Sequence, residues 1–426
     1  MLPSFDFRRN RNLLARTGRI RKRWKQFDFV LGVVPCLLVG ISTVLIASTQ
    51  RQVDYADWYQ HLLIALLGIC IAAGVSRFPI DRLRPLLIPL YGLTLICLVA
   101  VRFVGTSALG AQRWLSIAGF NVQPSEVAKL IAIIVLASVL DRNPIVKPIN
   151  LLKPLLVIFP LWLLVLFQPD LGTSLVFGAV LISMLYWAGM PLEWVLLSLS
   201  AIFTAVLSGL FPLALSVWIP LMAFLAFRSF NKRKLAVLIT LATQFSIAWT
   251  TPWLWLNALK DYQRDRLVLF LDPAKDPLGG GYHLLQSTVG IGSGGLFGTG
   301  LHQGQLTKLR FIPEQHTDFI FSALGEEAGF FGTIIVLIGF FFVLVRLLNV
   351  AREARTDFES LVAIGVLAML FFQVTVNIFM TIGLGPVTGI PLPFMSYGRT
   401  ALLVNFVSLG LCFSIARRGY TASKKW

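Results

Sequence analysis

The sequence predicts an all-α fold: a polytopic bundle of transmembrane helices with about twelve spans and both termini on the cytoplasmic side. Three observations predict it. Hydrophobic residues make up 56% of the 426 and charged residues only 13%, where a soluble domain carries about 25% charged. Apolar runs of roughly 17 residues or more recur along the whole chain, each long enough for a membrane helix. The basic residues gather in alternate connecting segments, as the positive-inside rule requires.

Residues 1–27 carry nine Lys and Arg against one acid, Asp6, which reads as a basic cytoplasmic tail beside anionic lipid. The first apolar run is too long for a signal h-region and lacks a small-residue cleavage site, so it is expected to stay as an anchor. The runs fall at about 28–49, 58–75, 85–104, 124–141, 152–168, 171–189, 194–211, 212–228, 235–256, 328–347, 359–384 and 397–416. With the N-terminus inside, the inner segments hold most of the 37 Lys and Arg. The net charge of +17 is therefore mostly a topology signal, and nucleic acid drops out as a partner. The same alternation puts the 105–123 loop, the 169–170 turn, the 257–327 region and the 385–396 loop outside. The domain plan is thus a tail at 1–27, a transmembrane domain at 28–416 and a cytoplasmic C-terminus at 417–426. Cys36, Cys70, Cys97 and Cys412 stand singly in apolar runs, with no metal spacing and no disulfide framework.

All the polar constellations fall on the expected outer face. Gly110 to Trp114 is followed by Gln123-Pro-Ser-Glu-Val-Ala-Lys129. Pro124 suits the first turn of a helix and Glu126 its N-terminus. Glu126 and Lys129, three apart, share one face. They read either as a cap with a local ion pair, Trp114 anchoring at the interface, or as a polar wall where Arg113 and Lys129 face an anion. In the 168–174 turn, Asp170 is placed to cap the next helix. The stretch 290–300 contains six glycines. It lacks the setting of a nucleotide loop, and donation of its N–H groups to a pyrophosphate competes with plain loop flexibility. Three prolines in 385–393 forbid a regular helix, which suggests a re-entrant element.

Phe311 to Gly329 is the most informative stretch. It crowds His316, Asp318, Glu326 and Glu327 into or beside an apolar helix, where a carboxylate costs roughly 2.5–3.5 kcal/mol on the insertion scale. Asp318 reads either as a general base or, with Thr317, as a helix cap; Ala328-Gly329 is a place for the helix to break.

Together these segments resemble the SEDS family (shape, elongation, division and sporulation), which includes RodA and FtsW. The matching motifs are GAQRW at 110–114, QPSEVAK at 123–129, QPDLGTS at 168–174, LDPAKDPLGGGYH at 271–283, IGSGGLFGTG at 291–300, PEQHTDFIF at 313–321, GEEAGFFG at 325–332 and GIPLPFMSYG at 389–398. They stand in the family's order, and the wording is closer to the RodA branch. The resemblance implies a peptidoglycan glycosyltransferase of cell elongation in the bacterial inner membrane. It implies lipid II as substrate and a class B penicillin-binding protein, with other elongation-complex proteins, as partners. The family's essential carboxylate falls on Asp318, its outer-loop residues on Arg113 and Trp114, and its cavity charge pair on Glu126 and Lys129.

Candidates to hold the pyrophosphate are Arg113, Lys129, Arg264, Arg266 or a divalent cation, Mg or Mn, and Ser396 is a further substrate-binding candidate. Gln315 stands where the family commonly has Arg, leaving Lys308 or Arg310 to compensate. The usual SYGGS is Ser396-Tyr-Gly-Arg-Thr400, which adds Arg399. The 212–256 hairpin is two spans beyond the family's usual ten. A lipid II flippase, or a scaffold recruiting the penicillin-binding protein, is the rival reading.

Overall fold

The computed structural model describes residues 28–49, 58–108, 111–117, 120–145, 147–168, 170–257, 264, 268–270, 272–276, 281–309, 311–312 and 314–423. The basic tail at 1–27 lies outside them. Each of the twelve apolar runs coincides with a helix: α1 (Phe29–Thr49), α2 (Trp58–Val75), α3 (Leu87–Val104), α4 (Pro124–Arg142), α5 (Leu152–Phe167), α6 (Leu171–Trp187), α7 (Leu192–Leu210), α8 (Leu215–Ser229), α9 (Arg233–Asn257), α12 (Ile320–Glu353), α13 (Asp357–Thr381) and α14 (Arg399–Ser423). Two short helices, α10 (Tyr282–Ser293) and α11 (Gln305–Leu309), lie in the long region before α12. Among the described residues, ten helical segments are long and apolar enough to cross a membrane. The other two of the twelve are α6, which is shorter, and α4, which carries Glu126, Lys129, Asp141 and Arg142.

The all-α expectation holds with one addition. The 105–123 stretch, read from sequence only as a loop, forms a three-stranded antiparallel sheet of β1 (Thr106–Ala108), β2 (Ala111–Ile117) and β3 (Phe120–Val122). Its pairing is local, with Ala108 opposite Ala111 and Ile117 opposite Phe120. Strands this short give no apolar periodicity for a sequence reading to find.

The bundle is centred on α13. It packs against α12, α6, α4 and α14, while α14 lies along α2 and α12 along α1. Helices α7, α8 and α9 pack chiefly on one another and touch the body lightly through α6. Within this group Gln244 of α9 donates to Ser200 of α7 at 2.6 Å. The Thr204 hydroxyl of α7 donates to the Gln244 side-chain amide oxygen and accepts from the Trp218 indole of α8 at 3.0 Å. Ser200, Thr204 and Gln244 are all buried, so the three helices share one polar lock in an apolar setting.

Helix starts follow sequence chemistry. Pro124 opens α4, Asp170 caps α6 through the Thr173 N–H at 3.1 Å, and Thr356 caps α13 through the Glu359 N–H at 3.1 Å. Helix α12 begins at Ile320, earlier than the apolar run at 328, with Phe319 at its cap position and no side-chain cap. Thr317 and Asp318 therefore do not occupy the capping position.

Gly329 breaks α12 with φ 66°, and the glycine-rich turn is what repairs the break. Thr299 and Gly300 donate their N–H groups to the carbonyls of Glu326 and Glu327 at 2.9 and 3.1 Å. The carbonyls of Gly295 and Leu296 accept from Phe330 and Phe331 at 3.0 and 3.1 Å. The glycines allow that approach, because a Cβ on Gly298 would lie 2.1 Å from the Glu327 carbonyl oxygen. The turn is thus neither a phosphate cradle nor a slack loop; it is a backbone splice. Gly298, with φ +83°, tests this. Gly298→Ala is expected to lower the thermal unfolding temperature of the purified protein, at a cost of at least about 1–3 kcal/mol, and an unchanged melting curve would refute the splice.

Candidate functional site

Three groups of polar residues meet at one end of the bundle. The first is built on β2 and the start of α4. Strand alternation sends Arg113 and Trp114 to opposite faces of β2. Arg113 donates from Nε to the Gln168 carbonyl at 3.4 Å, with Nη1 4.0 Å from the Asp170 carboxylate. Asp170 is buried and also accepts from the Gln123 amide at 3.3 Å and the Ser125 hydroxyl at 3.5 Å. Gln168 is tied in turn to the Leu98 carbonyl at 2.8 Å. The helix cap and the polar cluster are therefore the same residue, Asp170, which the sequence reading assigned to capping alone.

Next along α4, Lys129 Nζ donates to Glu126 Oε1 at 2.7 Å, and both side chains are almost wholly buried. The i, i+3 spacing makes the pair, and burial isolates it. Glu126 Oε2 is buried without a hydrogen-bond partner. Lys129 is thus committed to its glutamate, whereas Arg113 is half-buried and sits at the edge of its cluster.

The second group surrounds Asp318. Residues 314–319 form turns, and the stretch from Leu384 to Gly398 is the non-helical, re-entrant element that its prolines predict. The two segments are cross-linked. The Asn377 amide of α13 donates to the carbonyls of Asp318 and Ile390, both at 2.8 Å. The Tyr397 N–H donates to the His316 carbonyl at 2.9 Å. The Ser396 hydroxyl donates to the Thr317 carbonyl at 2.6 Å and accepts from the Leu392 N–H at 2.7 Å. Ser396, expected at the substrate, is buried with its proton already given away, so it acts first as a brace. The Asp318 side chain is half-buried and lies over Gly389, where a Cβ would come 3.2 Å from Oδ2. His283 stacks on the neighbouring Phe319 with ring centroids 6.0 Å apart.

The re-entrant loop joins these groups. Gly172, in the first turn of α6 beside Asp170, faces the Thr388 carbonyl so closely that a Cβ would lie 2.8 Å from it. The next loop residue, Gly389, carries Asp318 on its surface. The turn that carries Asp170 and the Asp318 carboxylate therefore approach consecutive residues of one loop, Thr388 and Gly389. Just after the loop, Arg399 donates to the Gln60 amide oxygen at 2.6 Å, and Tyr397 bonds the same atom at 3.3 Å.

The third group is structural. Glu326 is buried and accepts from the N–H groups of Leu306 and Thr307, both at 2.8 Å, and from the Thr307 hydroxyl at 2.6 Å. Glu327 accepts from Ser48 of α1. Gln315 is buried too, and its amide donates to the Thr307 carbonyl at 2.8 Å. Lys308, one residue on, is exposed. Arg264 is half-buried, while Arg266 and Arg310 lie outside the described residues. Among the described residues no group of three or more His, Cys, Asp or Glu is gathered to hold a metal ion. The donor set beside Asp318 does not make an all-protein cage for a divalent cation.

Asn377 and Asp170 were missed as site residues. Asn377 sits with Gln373 in an otherwise apolar stretch of α13, where buried amides are themselves the signal. Asp170 was hidden by the obvious capping role.

Fold and site together define a polytopic helical membrane protein with a polar, irregular-backbone site at one end. The family profile described as "Cell cycle protein", covering FtsW, RodA and SpoVE, matches residues 25–219 and 213–421. The peptidoglycan glycosyltransferase MrdB of Escherichia coli K12 is 39% identical over 389 residues, covering 91% of this chain and 92% of that protein. The peptidoglycan glycosyltransferase RodA of Treponema pallidum is 31% identical over 425 residues, covering 92% and 98%. Among solved structures, a chain of a peptidoglycan synthase complex aligns with TM-score 0.70 at 30% identity, covering 93% of this chain and 99% of that one. The rod shape determining protein RodA of Thermus thermophilus aligns with TM-score 0.61 at 25% identity, over the same shares. The chain belongs to the FtsW/RodA/SpoVE family.

The buried ion pair can be tested apart from any activity. Lys129→Met strands the Glu126 carboxylate and is expected to cost about 3–5 kcal/mol in thermal unfolding. The double variant Glu126→Gln/Lys129→Met should recover most of that loss. A double variant as unstable as the single one would mean that the two charges do not act as a matched unit.

Proposed function

We propose that this protein is a peptidoglycan glycosyltransferase that polymerises lipid II into β-1,4 glycan strands, with Asp318 as general base. The observation that carries the reading is the placement of Asp318. It is a half-buried carboxylate lying on Gly389 of the re-entrant loop, whose preceding residue, Thr388, is met by Gly172 of the turn where Asp170 pairs with Arg113. Its relatives MrdB and RodA carry that activity in their names.

The chemistry follows from the substrate. The donor sugar is α-linked to a pyrophosphate, a leaving group that needs charge stabilisation more than protonation. Asp318 accepts the proton of the acceptor GlcNAc 4-hydroxyl as its oxygen attacks the MurNAc anomeric carbon. The C1–O bond to pyrophosphate breaks as the new bond forms, and displacement from the opposite face inverts α to β. Arg113 is the favoured cation for the pyrophosphate, because Lys129 is held by Glu126 at 2.7 Å. Lys129 then acts by shaping the wall. Trp114 offers an apolar surface on the other face of β2.

The same reading places the site on the extracytoplasmic side of the inner membrane, where the sequence charge pattern puts the loops. It assigns a class B penicillin-binding protein as partner, in keeping with the peptidoglycan synthase complex among the similar structures.

Purified protein supplied with lipid II is expected to give glycan polymer on a gel. Asp318→Asn should reduce the rate by about 10²–10⁴-fold, the usual contribution of a general base. Polymer from Asp318→Asn at the wild-type rate would sink the assignment. Lipid II movement across vesicles without polymer would favour the flippase instead.

A further inference from the structure

The segment that carries Asp318 is irregular, and α12 begins after it at Ile320 with no side-chain cap. Something else must fix it. Asn377 is wholly buried near the end of α13. Its Nδ2 donates one hydrogen to the Asp318 carbonyl and one to the Ile390 carbonyl, each at 2.8 Å. Its Oδ1 is buried with no hydrogen-bond partner. A buried, unsatisfied acceptor costs about 1–3 kcal/mol, so the position sacrifices its acceptor and keeps both donors. The orientation is set by its neighbours, since a flipped amide would aim oxygen at two carbonyl oxygens.

The two carbonyls are not arbitrary. One belongs to Asp318 itself. The other belongs to the residue after Gly389, the glycine on which the Asp318 carboxylate lies. Asn377 thus fixes the peptide that bears the carboxylate and the surface under the carboxylate with one planar group.

We infer that Asn377 is a positioning residue: it sets the aim of the Asp318 carboxylate by clamping the Asp318 peptide to the re-entrant loop. This rests on the reading of Asp318 as general base. The Asn377 side chain touches carbonyl oxygens and not substrate, so its removal is expected to lower kcat and to leave KM for lipid II nearly unchanged.

The test measures kcat and KM for lipid II polymerisation by the full-length protein between about pH 5.5 and about pH 8, alongside thermal unfolding. The variants are Asn377→Asp, Asn377→Ser, Asn377→Leu and Asp318→Asn. In Asn377→Asp the donors become acceptors, and kcat near neutral pH should fall roughly 10- to 100-fold with KM within about twofold. That deficit should narrow at low pH, where a protonated carboxyl regains one O–H donor. Asn377→Ser, with one donor, should retain more kcat than Asn377→Leu, with none. If Asn377→Asp does not purify folded, the Ser and Leu pair carries the comparison at equal folded concentration. The inference is overturned if Asp318→Asn is inactive while the Asn377 variants keep wild-type kcat, or lose activity through KM alone with no change across pH. An active Asp318→Asn overturns the general-base reading as well, so the two failures are told apart.

Discussion

The structure depends on a single constraint: a backbone that leaves the helix inside a membrane bundle must find partners for its own N–H and C=O groups. It does so in two places. At Gly329 the broken turn of α12 is paired with the glycine-rich turn, through four backbone bonds of 2.9–3.1 Å. At residues 384–398 the re-entrant loop is paired with the Asp318 segment through Asn377, Ser396 and Tyr397. Both repairs lie within the same stretch of chain, 314–331. The irregular backbone that positions the polar site is therefore supported from both ends, and the buried α13 behind it supplies the rigid wall.

Charge follows the same logic. Several buried ionic groups are tied to local partners. Glu126 holds Lys129, Asp170 caps α6 while meeting Arg113, and Glu326 caps α11. Gln315 fits this scheme, since its donor goes to the Thr307 carbonyl beside the helix that Glu326 caps. Its place is structural, and the neighbouring Lys308 is exposed. Arg399, held on Gln60, stands at the start of α14 with its guanidinium 5.8 Å from the Phe120 ring of β3.

Most of the fold was legible in the sequence, because hydropathy and charge act over spans of roughly 20 residues. All twelve apolar runs coincide with helices, and Pro124, Asp170 and Gly329 do locally what their chemistry predicts. Three things were not legible. The sheet at 106–122 is too short for a period to emerge. The glycines at 290–300 left a phosphate-binding turn and a flexible loop equally open, because close backbone approach to a phosphate and to another backbone ask for the same residue. Asn377 and the Asp318 carbonyl lie 59 residues apart in sequence, and a clamp of that kind exists only once the chain is folded.

The lock of Ser200, Thr204, Gln244 and Trp218 has a consequence for how such a chain is assembled. Its donors and acceptors are all drawn from α7, α8 and α9, and none is lent to the body. A group of helices that satisfies itself can be acquired, lengthened or lost without re-pairing anything in the core. Its outer surface, with Trp249 and Trp253 exposed, can then change without disturbing the polar bonds around Asp318. In this protein the three helices are accordingly a peripheral unit with its own polar bonds, joined to the body through apolar packing such as that of Trp194 and Val195.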